Sequence, residues 1–508
     1  MSERRDRGRG QRGGQRDQGG HRGPRQKSRT APSARSRQGD VPRTTALRVL
    51  RAVSHEGAYA NLELPKALRR ARLSGRDAGF ATELTYGTLR MQGLYDAIIA
   101  EAAQRPVSKL DGGVLDVLRM GAHQVLGMRV PEHAAADQSV ALARSVAGQG
   151  AAGLVNAVMR RIGERSRDAW LEAVVPAEPV VERLSVAQSH PVWVVKALRQ
   201  ALIGHGAATP ESADDVLADL LAAHNVPADV SLVARPGLAT IDELLAAGAQ
   251  PGRWSPFAAE LESGAPGDLE AIRDGRAAVQ DEGSQLLALA LAAAPVAPRS
   301  DGAPERWLDL CAGPGGKAGL LAALALQQGA DLVANEVSEH RTELVRQSLR
   351  PAVAAAADAG REIVVRTGDG REVGVDEPEV YDRVLVDAPC TGLGALRRRP
   401  EARWRRQPGD LAALGPLQRD LLAAGIDATR PGGVVAYATC SPHLSETTFV
   451  VRDVVKKRDD VEVLDARELL AGAAVADLGA LGDGPHAQLW PHVHGTDGMF
   501  LSLLRKKA

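Results

Sequence analysis

Cysteine is scarce, with three residues in a chain of 508. Three thiols cannot frame a disulfide-stapled scaffold, and no Cys/His cluster has zinc-ligand spacing, so free reduced thiols and no metal are expected. Long apolar runs are missing too. The longest stretch of low polarity, LLALALAAAPVA from Leu286, is about half of what a bilayer span needs. The charged N-terminus is not followed by an apolar signal segment. A soluble cytoplasmic monomer with no membrane partner is expected. Net charge is absent as well, with 63 basic residues against 63 acidic ones. That zero hides an asymmetry, because residues 1–40 hold eleven Arg and one Lys against four acids, which leaves 51 basic against 59 acidic residues in the remainder. The tail has almost no apolar side chains to offset the entropy of ordering, so it is expected to be disordered. Arg and Gly in a flexible segment suit phosphate backbones; a solubilising tail is the alternative.

What remains has the 44% hydrophobic content of a chain with real cores. From Val41 to about Gly163 apolar residues recur at three- and four-residue spacing, in phrases such as TTALRVLRAV and DGGVLDVLRMGAHQVLG, separated by Ser74, Pro106, Asp111 and Pro131. This predicts an all-helical domain over residues 41–165. Residues 166–275 mix helix and strand signals around VSLVARPG (Val230–Gly237) and read as a small α+β linker unit. From 276 to 508 short apolar runs (RWLDL, ADLVANE, REIVVRTGD, YDRVLVDAP, GGVVAYATC) alternate with helical stretches, which predicts a parallel sheet covered on both faces. Ligands of such sheets bind beyond the carboxyl ends of the strands.

The candidate chemistry lies at those ends. DLCAGPGGK (Asp309–Lys317) follows the first strand and opens a helix, where glycines allow close backbone approach and free N–H groups suit an anion. It lacks the GKS/T ending of a phosphate loop and the spacing of a dinucleotide fingerprint. The second strand ends in Glu336, which can accept both hydroxyls of a ribose, and the third is followed by Asp369. Glycine loop, ribose acid and further acid together fit a nucleoside that carries an amino-acid carboxylate, S-adenosylmethionine. Two of the three cysteines end short apolar runs, Cys390 in VDAPCTGLG and Cys440 in YATCSPH. Directly after the first of these, LRRRPEARWRR packs Arg397, Arg398, Arg399, Arg403, Arg405 and Arg406 around Trp404. Arginines pair phosphates and Trp stacks on unpaired bases, so this run is expected to clamp RNA rather than form a solvated face.

DLCAGPGGK, DAPCTGLG, YATCS and the late DGMFLSLLRKK resemble the RNA (cytosine-5)-methyltransferases. RDAGFATELTYGTLR (Arg76–Arg90) and GLVNAVMRRI (Gly153–Ile162) resemble the NusB-like RNA-binding domain, and the combination is that of the bacterial small-subunit ribosomal RNA enzymes of the Sun/Fmu type. The resemblance covers residues 41–508. It implies a multidomain protein: an all-α NusB-like domain, a small α+β linker and an α/β Rossmann-like methyltransferase domain that uses S-adenosylmethionine. It further implies that Cys311, Ala312, Gly313, Pro314, Gly315, Gly316, Lys317, Glu336, Asp369 and Asp387 bind the cofactor or line its pocket, that Cys440 is the nucleophile, and that Cys390 assists product release. Ala318 stands where many members have Thr, and Glu336 where Asp is commoner.

The chemistry makes sense of these residue types. C5 of cytosine is a poor nucleophile until a thiolate adds to C6. That thiolate needs a nearby cation, for which Lys317 is the candidate. Asp387 can hydrogen-bond the N3/N4 edge as charge develops there. The expected substrate is small-subunit ribosomal RNA, with an unstacked target base. Transfer RNA is the alternative substrate, and a non-catalytic RNA-binding or antitermination factor the alternative function.

Overall fold

The computed structural model describes residues 39–508; the expectations for the tail, residues 1–40, lie outside them save for its last two residues. The N-terminal helices follow the apolar spacing. Val41–Glu56 starts at Asp40, whose carboxylate accepts from the Arg43 N–H, and Gly112–Leu126 starts at Asp111, which accepts from Val114. Helices from Val41 to Val174 enclose one core of Leu47, Leu50, Leu84, Ile98, Ile99, Leu118, Val155 and Ile162.

Residues 167–223 contain helices only, so the mixed signals expected from residue 166 resolve later in the chain. Val192–Gly204 and Ala213–Ala223 pack around Leu198, Leu202, Leu217 and Leu221, and Leu393, Leu396 and Trp490 from the C-terminal part complete that cluster. Strands begin at β1 (Val230–Ala234), which joins β2 (Gln250–Pro251), β3 (Ala258–Leu261) and β4 (Ala277–Val279) in an antiparallel sheet of order β2-β3-β1-β4. The small sheet therefore reaches past Gly275, the expected limit of the linker unit.

The large sheet contains β5 (Arg306–Asp309), β6 (Asp331–Glu336), β7 (Ile363–Thr367), β8 (Tyr381–Asp387), β9 (Thr429–Thr439), β10 (Val461–Leu464), β11 (Ala487–Gln488) and β12 (Phe500–Lys506). Its order is β10-β12-β9-β8-β5-β6-β7. The five strands β5 to β9 are parallel, as their continuous apolar runs demand. β12 enters antiparallel between β9 and β10, which makes the sheet mixed rather than purely parallel. The chain order reverses between β5 and β8, and this is where a ligand crevice forms in an open sheet of this kind.

The apolar run from Leu286 lies in helix Glu282–Ala293, almost wholly buried against the sheet domain. Glu282 at its start accepts the backbone N–H groups of Arg253, Trp254 and Ser255 at 2.6–3.0 Å, which locks the small α+β unit to the large sheet. Among the described residues no helix is long and apolar enough to cross a membrane.

Candidate active site

The first element of the site is the turn between β5 and helix Gly316–Gln327. Gly315 has φ +108°, a conformation that disfavours any side chain, and a Cβ there would lie 2.7 Å from Ser348 Cβ. A Cβ on Gly313 would lie 2.3 Å from Glu336 Oε2, so only glycine lets the turn approach the acid of β6. Gly313 N–H donates to that oxygen at 3.0 Å, and Ser338 N–H donates to Glu336 Oε1 at 3.1 Å. Arg341 forms an ion pair with Glu336 at 3.3 Å. The same arginine donates to the Gly313 carbonyl.

Two residues beneath this turn were given no role in the sequence reading. Asp309 is 1% exposed, and its Oδ2 has no hydrogen-bond partner among the described residues. Burial, followed by the neighbouring Asp387, pushes its carboxyl up to about 8. Ser348, on helix Glu339–Asp358, donates to the Gly315 carbonyl at 3.1 Å and accepts from Arg235 of the small sheet at 2.7 Å. Arg235 belongs to the VARPG phrase, which carried no chemistry in the sequence. In the fold its guanidinium braces the turn from below.

Asp369 follows the end of β7 by two residues. Its carboxylate accepts from Arg371, whose Nε and backbone N–H both lie at 3.0 Å, and none of its hydrogen bonds reaches the glycine turn. With Glu372, Asp420 and Asp427 it lines a surface depression beside helix Pro408–Ala428. Asn335 instead ties the strand ends together, donating to the carbonyls of Leu310 at 3.3 Å and Gly368 at 3.0 Å.

The second element is the pair of cysteines. β8 and β9 run in parallel register with Asp387 opposite Ala438, so Cys390 and Cys440 emerge side by side, and their Sγ atoms are 3.4 Å apart. Gly394 N–H donates to the Cys440 carbonyl and Gly498 N–H to the Gly394 carbonyl, both at 2.9 Å. A Cβ on Gly394 would lie 2.1 Å from the Gly498 oxygen. The TGLG, YATCS and DGMF motifs therefore meet backbone to backbone.

Lys317 reaches across from the helix start, its Nζ 2.9 Å from Asp387 Oδ2. Burial works against its ammonium, yet Asp387, joined by Cys440 and Asp309, raises its pKa overall. The hydrogen bond from Cys390 lowers Cys440, with burial and Asp387 opposing and with Lys317 and Arg399 assisting. Cys390 moves the other way, raised by the same hydrogen bond and by burial. Burial also raises Cys311, whose side chain packs against the apolar cluster around Leu308 and Leu310. The site thus holds one thiol disposed to ionise, a second disposed to stay protonated, and a cation beside an acid.

Most of the arginine run packs inward instead of facing out as a clamp would. Arg403 is fully buried and donates to the carbonyls of Arg90, Ser189 and His224 and to Asn225 Oδ1. Arg397 is buried and bonds the Gly495 carbonyl, and Arg398 pairs with Asp281 at 2.8 Å and Asp497 at 3.2 Å. A Cβ on Gly93 would lie 2.4 Å from the Trp404 ring, so Trp404 packs on the helical domain. Arg405 bonds the Ala58 carbonyl and covers the Tyr59 ring. Arg406 donates to the carbonyl of Thr391, next to Cys390. These side chains staple the domains, because a segment wedged between three layers must satisfy its polar groups internally. Arg399 alone in the run is exposed.

The chain is similar to known proteins along nearly its whole length. The family model described as 16S rRNA methyltransferase RsmB/F matches residues 296–505, and the NusB family model matches residues 40–164. A provisionally named methyltransferase of Mycobacterium tuberculosis is 49% identical over 475 residues, covering 93% of this chain and 98% of its own. The ribosomal RNA small subunit methyltransferase B of Pseudomonas putida is 32% identical, covering 92% and 99%. In fold, the chain is similar to the crystal structure of PH0851, with a TM-score of 0.70 at 21% identity over 93% of this chain and 98% of that one. With a relative of this identity matched along nearly its whole length and both domains recognised in order, the chain belongs to the family of 16S rRNA methyltransferases RsmB/F.

Proposed function

We propose that the protein transfers a methyl group from S-adenosylmethionine to C5 of a cytosine in small-subunit ribosomal RNA, through a transient bond between Cys440 and C6. The observation that carries this reading is the 3.4 Å contact of Cys390 and Cys440 at adjacent strand ends, beside the Lys317–Asp387 pair. The Pseudomonas putida relative bears the name of a ribosomal RNA small subunit methyltransferase.

The residues of the turn fit the methyl donor. Glu336 suits the ribose hydroxyls once Arg341 yields its place, the unpartnered Oδ2 of Asp309 suits a cationic ammonium, and the N–H groups at the helix start suit a carboxylate. When bound, the donor supplies an electrophilic methyl group. The chain's own groups prepare the base. Cys440 attacks C6 as a thiolate, favoured by Cys390 and Lys317. Asp387 uses Oδ2 on Lys317, so its other oxygen serves the N3/N4 edge of cytosine, where charge grows as sulfur adds. After transfer, H5 must leave to a base as the C6–S bond breaks and Cys440 departs as a thiolate; Cys390, with its sulfur 3.4 Å from that of Cys440, is the candidate for this release step.

The test is a denaturing gel with RNA substrate and methyl donor. Cys440→Ala is expected to form no protein–RNA band and to be inactive, while Cys390→Ala is expected to methylate once and remain bonded. A band for Cys440→Ala and none for Cys390→Ala would reverse the two roles. Sequencing bisulfite-treated ribosomal and transfer RNA from a deletion strain identifies the substrate, and loss of a mark in transfer RNA alone would replace the ribosomal assignment.

A further inference from the structure

Behind the two cysteines lies a carboxylate that the proposed chemistry does not use. Glu446, six residues after Cys440, is 1% exposed, and among the described residues no cation is one of its hydrogen-bond donors. Its Oε1 accepts from the Thr391 N–H at 2.8 Å and from Gln418 Nε2 at 3.2 Å. Its Oε2 accepts from the hydroxyls of Ser441, at 2.6 Å, and of Thr391. Thr391 directly follows Cys390, and Ser441 directly follows Cys440. Gln418 also donates to the carbonyl of Pro389, which directly precedes Cys390, at 2.8 Å. Tyr437, three residues before Cys440, donates its hydroxyl to the Glu446 carbonyl at 2.8 Å. One side chain thus holds both cysteine loops from behind.

A buried carboxylate without a cationic partner is costly unless several donors satisfy it, and here four do. A neutral residue would have been the simpler way to fill the space. We infer that Glu446 is a positioning residue: it holds the loops of Cys390 and Cys440 in the single arrangement that brings their sulfurs into contact. The inference rests on the reading of those cysteines as nucleophile and release group.

The contact has a chemical consequence. The hydrogen bond between the sulfurs is the largest influence lowering Cys440 and the largest raising Cys390, and the charge of Glu446 adds to the rise at Cys390. The carboxylate therefore keeps the two thiols unequal in two ways, by holding them together and by its charge. Replacing it with an amide of the same shape removes the charge. It also leaves one acceptor oxygen where two served four donors, so one loop is released.

The experiment measures alkylation of each cysteine by iodoacetamide across pH, read by mass spectrometry, in the full-length protein. In the wild type Cys440 is expected to react at lower pH than Cys390. In Glu446→Gln the two midpoints are expected to converge, Cys440 rising by about one unit and Cys390 falling, so that Cys440 reacts roughly tenfold more slowly near pH 7. The acid limb of the single-turnover pH–rate profile should move to higher pH by the same amount, with the KM for RNA unchanged. A purely structural role would lower the amount of active enzyme without moving either midpoint. Ser441→Ala releases only the Cys440 loop and should move the Cys440 midpoint in the same direction, which keeps the inference testable if Glu446→Gln fails to fold. Unmoved midpoints in a variant that still binds S-adenosylhomocysteine by calorimetry would overturn the inference. Because alkylation needs no RNA, this failure is distinct from a wild type that transfers no methyl group to cytosine.

Discussion

Replacing Arg403 with Ala separates the two roles its sequence context allows, staple and RNA clamp. Its guanidinium has no acidic partner among the described residues; it donates to three carbonyls and to Asn225 Oδ1, at 2.7–3.3 Å, joining the first helical domain at Arg90 to the helical layer at Ser189 and His224. Burial draws its pKa down to about 9, with Arg90 adding to the effect. Truncation strands four buried acceptors and opens a cavity at the meeting point of three layers. Each stranded acceptor costs roughly 1–3 kcal/mol if nothing replaces the donor. Water entering the cavity recovers part of that, so a loss of about 3–5 kcal/mol is expected, in the range for removing one partner of a buried polar cluster. That corresponds to a fall of roughly 6–20 °C in the first thermal transition. RNA binding, measured against salt at a temperature where the variant is folded, should keep its slope. A phosphate contact would do the opposite, leaving the melting curve alone and reducing the slope by about one. Unchanged melting with a flatter salt dependence would refute the staple and restore the clamp.

Three further outcomes are expected. Glu336→Ala removes the acceptor for Gly313 and Ser338 as well as the proposed ribose contact. Affinity for S-adenosylhomocysteine should fall tenfold or more in calorimetry, from roughly 1.5–3 kcal/mol per charge-assisted bond; unchanged binding removes Glu336 from the site. Ser348→Ala breaks the link from Arg235 to Gly315 and should weaken the same ligand about fivefold, the worth of a hydrogen bond of about 1 kcal/mol, with equal affinities counting against the brace. His205 is buried with its pKa drawn down to about 4 by burial, although its Nε2 contacts the Pro442 carbonyl at 2.9 Å. Its unfolded value near 6.5 means that the unfolded state binds the extra proton on acidification, so stability is full above pH 6.5 and declines towards pH 4. The loss should be about 2 kcal/mol by pH 5. Urea melts at pH 7.5 and pH 5 should show that increment in the wild type and lack it in His205→Gln, and equal pH dependence of the two proteins would refute it.

The parts of the site that were legible in sequence are those where backbone geometry restricts residue type. Gly313 and Gly315 stand where a Cβ would strike Glu336 or Ser348, and Gly394 where it would strike the oxygen of Gly498. Such positions leave a local signature next to the cysteines and acids they serve. The parallel strands were legible for a similar reason, since burial on both faces forces continuous apolar runs. β12 was not placed from sequence, where FLSLLRK counted only as part of a motif, because its antiparallel entry between β9 and β10 depends on pairing with strands far back in the chain.

The residues that escaped notice, or were given another role, act across long sequence separations. Arg235 meets Ser348 across 113 residues, and Glu446 meets Thr391 across 55. Arg403 reaches Arg90 across 313 residues. An arginine-rich run has the same composition whether it faces solvent, phosphate or three carbonyls in a packed interior. The difference lies in what the rest of the chain brings to it. Glu446 is the sharpest case: in sequence it is one acid among 63, and its meaning depends on the parallel pairing of β8 with β9, which turns two distant cysteine loops into neighbours that a single carboxylate can hold.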